Sequence, residues 1–484
     1  MIRTSFIAAL ATLAIFASDE SINRPDGRPI TASEIDAKVV KLMDAAHLTG
    51  AGIAIFNHGR VAYLKAYGFR DTEKRLPLTT NSVMTAASLS KSAFATMVMR
   101  LVHDGALDLD KPISAYLPKP LPDYPNYADL NGDDRYKKFT LRILLSHTSG
   151  FPNLRALEND RKLKIHFDPG ARYAYSGEGI QLAQLVVETV TGQSLTTLMT
   201  KMLYQPAHMT RTSMVWEPRF EDDFANGYDE YGRSLGPEKR PTPDAGGSMQ
   251  TTPQDYATLL SAIMRGEILN TRTRGKMLSP QVLIHSAHQF PSLAKATTTA
   301  NDAIRLRYGL GWGLYSSPYG KAFFKEGHDE GWRHLALCFN NGSGILIMTN
   351  SSNGEGIFKP LIDSVLGPTS FPFDWENYTP YNLLPPLPKL KEHKTVTLTD
   401  EQLSRLVGRY ALGKDAILTV TVQNGHLYIR ENEEAQQEFR AESPQDFYSI
   451  VSSDECTFKF GGDGPANILV LHVDGKDLEL KRVP

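Results

Sequence analysis

The sequence predicts an α+β protein. A mainly antiparallel sheet is flanked by helices, carries an inserted helical region, and is followed by a small all-β, barrel-like domain. Three observations carry this expectation. Apolar runs of strand character occur early, around residues 50–67, and again late, around residues 310–349, with helical periodicity between them. A Pro-rich stretch from Pro368 to Pro388 then has the composition of a linker. Beyond it, alternating strand patterns return with hairpin signals at Asn424-Gly425 and Asp474-Gly475. The expected organisation is a signal peptide over residues 1–18, a main domain over 30–366, a linker over 367–398 and a β-domain over 399–484.

Taken in order, Arg3 precedes an apolar run from Phe6 to Ala17, too short to span a bilayer and right for the core of a signal peptide. Export to the periplasm or the medium is the expectation, with no stable membrane span after cleavage. Thr31 with Glu34 spells a capping box, and Ile35, Val39, Leu42, Met43 and Ala46 form one stripe, so a helix should run to about His47. Gly52–Phe56 and Val61–Tyr67 flank Asn57-His58-Gly59-Arg60, a hairpin pattern. Phe94, Met97, Val98 and Leu101 recur at i, i+3, i+4 and i+7, with Gly105 as a stop. Thr140 should cap Leu141–Leu145, and Ile180, Leu182, Leu185, Val186 and Val190 mark a helix ended near Gly192. Leu310–Tyr315, Ala322–Gly327, Trp332–Phe339 and Ile345–Thr349 read as late strands, before a closing helix through Ile357, Leu361, Ile362 and Val365. In the tail, Thr399 with Gln402 starts a short helix ahead of the β-domain.

Composition removes several function classes. A formal net charge of -2 over 484 residues, with 22% charged residues, offers no basic surplus for nucleic acid. Cys338 and Cys456 are the only cysteines, so no disulfide framework is implied, and Cys338 in an apolar strand reads as a buried thiol. His328, Asp329, Glu330 and His334 look like a metal cluster until strand alternation separates them, and no His-Glu-x-x-His pattern is present. Neither metal nor organic cofactor is expected. Oligomeric state has no signature here.

The chemistry centres on Ser88. It opens the helix of the Phe94 stripe, where free N–H groups and the positive dipole end converge. Lys91 is three residues on and shares its face, an amine within reach of a nucleophile. Ser88 read alone could equally be a helix cap. Tyr175, on the loop Tyr173-Ala174-Tyr175-Ser176-Gly177, could pass a proton, or could be a packed aromatic. Lys325-Glu326-Gly327 ends a strand; Gly327 permits close backbone approach and Lys325 adds positive charge, although an exposed strand lysine is the plain alternative. Trp216, Trp312 and Trp332 are candidates for lining a cleft.

Together, Ser88-x-x-Lys91, Tyr175 and Lys325-x-Gly327 resemble the serine β-lactamase and penicillin-binding peptidase superfamily, most of all the class C β-lactamase-like hydrolases of esterase and D-amino-acid peptidase type. Leu144-Leu145-Ser146-His147-Thr148-Ser149-Gly150 and Ala245-Gly246-Gly247 support the resemblance, and the tail is similar to a lipocalin-like appendage. The resemblance implies Ser88 as nucleophile, Lys91 as its base or hydrogen-bond partner, Tyr175 as proton relay and Lys325 as charge support. It further implies an oxyanion hole from the backbone N–H groups of Ser88 and His328, and substrate contacts at Glu326, Gly327, Gly177 and Trp332. The family's Tyr-x-Asn is here Tyr175-Ser176-Gly177, which lacks the amide that usually helps hold substrate. Its Thr or Ser between Lys and Gly is here Glu326, which would repel a substrate carboxylate if it faced the cleft. The expected function is a serine hydrolase for small esters or amides, including D-amino-acid peptides. A true β-lactamase or DD-carboxypeptidase, and a non-catalytic penicillin-binding sensor, are the rival readings.

Overall fold

The computed structural model describes residues 21–158, 160–384, 391–412, 416–431, 436–450, 454–473 and 476–484. The expected signal peptide and the Asp474-Gly475 turn lie outside the described residues.

Thr31 caps the helix Ala32–Ala45 with the full capping box to Glu34. The hairpin Gly50–Asn57 and Arg60–Asp71 turns through His58 and Gly59, at φ 51° and 72°. Positive φ at both central residues suits a turn whose twist matches the strands it joins, and glycine meets that demand at no steric cost. These strands then wait for partners. The chain runs through the helices Leu89–His103, Gly177–Thr191 and Pro253–Arg265 before strands resume at Val282–Leu283, Arg307–Tyr308, Gly313–Ser317, Gly320–Asp329, Trp332–Phe339 and Gly344–Thr349. The last of these pairs antiparallel with Gly50–Asn57, Gly344 opposite Phe56 and Thr349 opposite Ala51. One nine-stranded sheet results, closed through its middle by segments from the two ends of the domain.

Side chains alternate cleanly across that sheet. Ala54, Phe56, Ala336, Cys338, Leu346 and Met348 pack on one face with the Leu89–His103 helix. Ile53, Ile55, Leu335, Leu337, Ile345 and Ile347 pack on the other with the helices Ala32–Ala45 and Phe358–Val365. Both faces are covered, which is why the central strands read as continuous apolar runs. The Leu89–His103 helix has twelve of its fifteen residues buried, so tertiary packing rather than propensity fixes where its first turn lies.

Part of the Pro-rich stretch departs from its expected role as a linker. Phe371, Phe373, Trp375 and Tyr378 are buried with the second face of the sheet. Gln289 N–H donates to Trp375 O at 2.9 Å, and Trp375 Nε1 donates to Ser286 Oγ at 3.2 Å. Residues 371–378 therefore form a strap against the sheet. Four buried aromatic rings outweigh the extended preference of the neighbouring prolines.

The tail begins with Asp400–Ser404, capped by Thr399 and Gln402 as a second capping box. Eight strands then close into a barrel, Gly408–Leu412 pairing both with Ala416–Gln423 and with Lys476–Val483. Closure removes exposed edges. Tyr410, Phe439, Phe447, Phe458, Leu469 and Leu480 form its core.

Candidate active site

Ser88 sits on a constrained turn. Ala87 before it holds φ at 47°, a conformation that costs an L-residue about 1–2 kcal/mol. Neighbouring bonds hold the turn in place: Ala86 N–H donates to Met249 O at 2.8 Å, Ser90 Oγ donates to Ala87 O at 2.6 Å, and Met249 N–H donates to Ser90 Oγ at 3.1 Å. Ser88 makes no side-chain cap bond. Its half-buried hydroxyl instead accepts from Lys91 Nζ at 2.9 Å. Lys91 is itself buried, and its second contact is Gly246 O at 2.5 Å. Asp244 Oδ1 holds that glycine in turn, accepting from Gly246 N–H at 2.7 Å.

The Tyr175 ring stands between two amines, its centroid 5.1 Å from Lys91 Nζ and 4.9 Å from Lys325 Nζ. Its hydroxyl accepts from Lys325 Nζ at 3.1 Å. His147 packs on the ring with centroids 4.4 Å apart, and its Nδ1 accepts from Ser176 N–H at 3.2 Å. Burial, reinforced by the Lys325 and Lys91 charges, pushes the His147 pKa well below the usual histidine range. A neutral ring therefore backs the phenol.

Lys325 has no solvent exposure. Burial works against its charge, yet Glu326 and the bonds to Glu326 and Tyr175 raise its pKa above the usual lysine value. The ammonium lies 2.5 Å from Glu326 Oε1, which also accepts from Gln289 Nε2 at 3.1 Å. The cleft-facing Glu326 considered from sequence is not what is found, since Glu326 is 2% exposed and turned onto the neighbouring ammonium. An ammonium taken out of water needs a counter-charge, and the flexible lysine stem carries it round to the residue on the opposite strand face. Glu376 of the strap adds a second carboxyl, buried with both oxygens unpartnered among the described residues. Burial, with repulsion from Glu326, raises its pKa well above the carboxylate range against the pull of Lys325.

Gly327 is where the strand meets the Ser88 turn: a Cβ there would stand 2.8 Å from Ala86 O and 3.2 Å from Leu89 Cγ. The next residue, His328, turns its ring away to Tyr378, Nε2 to hydroxyl 2.9 Å. Gly177 is buried against Asn153, whose side-chain oxygen accepts its N–H at 3.1 Å. Trp332 is not part of this group; it is 2% exposed, with Nε1 3.1 Å from where a Cβ on Gly227 would stand. Ser88, Lys91, Tyr175, Lys325, Glu326 and Gly327 thus converge, as do several groups that carried no assigned role in the sequence. Gly246 contributes only a carbonyl, which has no side-chain signature. Gln289 lies in a stretch without periodicity, and Glu376 in one dominated by proline. Asn153 closely follows the Ser149-Gly150 that ends one quoted stretch, the one local signal available.

A family model described as Beta-lactamase matches residues 35–365. The chain belongs to the β-lactamase family. Penicillin-binding protein 4* of Bacillus subtilis (strain 168) is 25% identical over 456 residues, covering 88% of this chain and 93% of that one. The octameric penicillin-binding protein homologue from Pyrococcus abyssi superposes with a TM-score of 0.57 at 20% identity, covering 93% of this chain and 100% of that one. The D-amino acid amidase from Ochrobactrum anthropi SV3 does so with a TM-score of 0.51 at 21% identity, covering 69% and 98%. In this β-lactamase-family chain, no three His, Cys, Asp or Glu side chains among the described residues are grouped to hold a metal ion. No helix among them is long and apolar enough to cross a membrane.

Proposed function

We propose that this chain is an exported serine hydrolase that forms an acyl-enzyme at Ser88 and acts on small esters or amides without a carboxylate near the scissile bond. The observation that carries the reading is the Ser88 hydroxyl, which caps nothing and is held at 2.9 Å by a buried amine. Ser88 Oγ attacks the acyl carbonyl and its proton passes to the Lys91–Tyr175 pair. The backbone N–H groups of Ser88 and His328 receive the oxyanion. The pair returns the proton to the leaving oxygen or nitrogen. Water then attacks the ester on Ser88, its proton passes through the same pair to Oγ as the C–Oγ bond breaks, and the free acid leaves with the Ser88 hydroxyl restored.

Lys325 supports this cycle by donating to the Tyr175 oxygen, which holds the phenol in place beside Lys91. Its charge is matched by Glu326, so little is left to draw a substrate carboxylate. That sets the chain apart from enzymes of penicillins and free C-terminal peptides, while likeness to an amidase supports attack on amides as well as esters. The test is labelling by a fluorophosphonate probe, read by intact mass. Wild-type protein should take one adduct on Ser88, and Ser88→Ala should take none while keeping its thermal transition. Undiminished labelling or turnover in that variant would remove the mechanism.

A further inference from the structure

The outer strands of the large sheet carry a second cavity, of about 560 Å³, lined also by the end of the Pro253–Arg265 helix and by the short helix Thr271–Met277. None of the residues gathered round Ser88 lines it. One wall is a single face of three adjacent strands: Arg307 stands opposite Leu314, Leu314 opposite Phe323, and Ser316 opposite Lys321. Directly opposite residues leave a sheet on the same side, so this face offers cations and apolar side chains together. The helices add Ile263, Met264 and Leu278, with Arg274 among them. A cavity of this size lies within the range of small-molecule sites.

Its charges are one-sided. Arg274, Arg305, Arg307 and Lys321 line the cavity, and no carboxylate does. The chain as a whole has a formal net charge of -2, so the excess is a local arrangement and not the reflection of a basic protein. Arg274 is fixed in place, its Nη1 donating to Ile263 O at 3.1 Å and to Met264 O in the last turn of the neighbouring helix. The side chains of Arg305, Arg307 and Lys321 have no hydrogen-bond or ion-pair partner among the described residues. Arg305 and Lys321 are exposed, so solvent reaches the cationic side, whereas Arg307 is half-buried. A guanidinium drawn partly out of water without an acceptor is costly, and like charges around a concave wall reinforce one another's field. An entering anion relieves both.

We propose that this cavity binds a soluble amphipathic anion, its carboxylate held by Arg307 and the neighbouring cations and its hydrocarbon body lying against Leu314, Phe323, Ile263 and Leu278. A compact anion would leave the apolar walls wet, and an uncharged apolar molecule would leave the guanidinium unmatched. A ligand with both parts answers the whole lining, and the planar fork of arginine matches a carboxylate. The inference stands on the cavity alone and does not need the serine-hydrolase reading.

Isothermal titration calorimetry of the full chain separates charge from hydrocarbon with three probes: dodecanoate, dodecyltrimethylammonium and acetate, the two amphiphiles kept below their micelle concentrations. Dodecanoate should bind at one site, at least about tenfold more tightly than either of the others, and should weaken as salt is added. Arg307→Gln should raise its Kd at least about tenfold while keeping the thermal transition. If that variant fails to fold, the Arg305→Gln, Lys321→Gln double variant, altered only at exposed positions, supplies the result by the same criterion. An unchanged Kd in a folded variant would place the binding elsewhere, in the Ser88 cleft or the barrel, and overturn the proposal. Absence of dodecanoate binding, equal binding of the cationic amphiphile, or acetate bound as tightly as dodecanoate would overturn it too.

Discussion

A serine at the start of a helix ordinarily gives its oxygen to the backbone; Ser88 gives its oxygen to Lys91. If Lys91 and Tyr175 serve one proton path, Lys91→Ala and Tyr175→Phe should each lower kcat by at least about 100-fold. The double variant should lose far less than the product of the two. Fully multiplicative losses in steady-state kinetics would mean separate roles. Glu326→Thr leaves Lys325 without its counter-charge, so a substrate carboxylate becomes the better partner. The kcat/KM ratio of matched anionic to neutral esters should rise at least tenfold, more at low salt, where screening is weakest; a ratio that stays put would detach Glu326 from selectivity. The Ser88–Lys91 contact was legible because helical spacing dictates it. The direction of Glu326 was not, because strand alternation gives the side on which a Cβ leaves the backbone but not where a four-carbon stem carries a charge. The contacts that Gly246 and Asn153 make were not legible for a related reason, although Ala245-Gly246-Gly247 was itself a recognisable stretch: they come from loops that no periodicity locates.

Among the elements, capped helices were the most readable parts of the chain. Thr31 with Glu34, Thr399 with Gln402, and Gly192 at φ 64° stand at the helix boundaries their residue types predicted. The strap was the least readable, since proline content argued for a linker while Phe371, Phe373, Trp375 and Tyr378 carried the opposing signal. Deleting a buried large aromatic costs about 3–5 kcal/mol. Trp375→Ala should therefore lower the unfolding free energy by an amount in that range, measured by urea denaturation. A chain ending after residue 366 should aggregate or melt well below one ending after residue 384. Equal melting of the two truncations would make the strap dispensable.

For the whole molecule, buried titratable groups set opposing pH dependences. His334 is held neutral, Nε2–H donating to Thr85 O at 2.8 Å and Nδ1 accepting from Thr349 N–H at 3.3 Å, and burial lowers its pKa from 6.5 to about 4. The unfolded chain takes up that proton first, so stability falls as pH drops from 6.5 toward 4, by up to about 1.4 kcal/mol per unit. Glu376 has the opposite sign. It keeps a proton that the unfolded chain releases above about 4.5, so its contribution falls as pH rises through that value toward its own raised pKa. Against wild type, His334→Gln should gain relative stability on acidification and Glu376→Gln on alkalinisation, in urea titrations between about pH 4.5 and 8. Parallel curves would mean that neither group is buried as described.

The pairing of Gly344–Thr349 with Gly50–Asn57 bears on how the chain comes into being. Its two strands are separated by roughly 290 residues, and loop-closure entropy must be met before such a contact is rewarded. During synthesis the first hairpin therefore emerges with one apolar edge unpaired, and nothing the ribosome has yet made can cover it. The turn carrying Ser88 rests on Gly327, itself on a late strand, so in a nascent chain that turn has no support until the last third of the domain is complete. A chain ended before residue 344 should remain an open, aggregation-prone intermediate bound by chaperones, and competence for acylation should appear abruptly with length rather than grow in proportion to it.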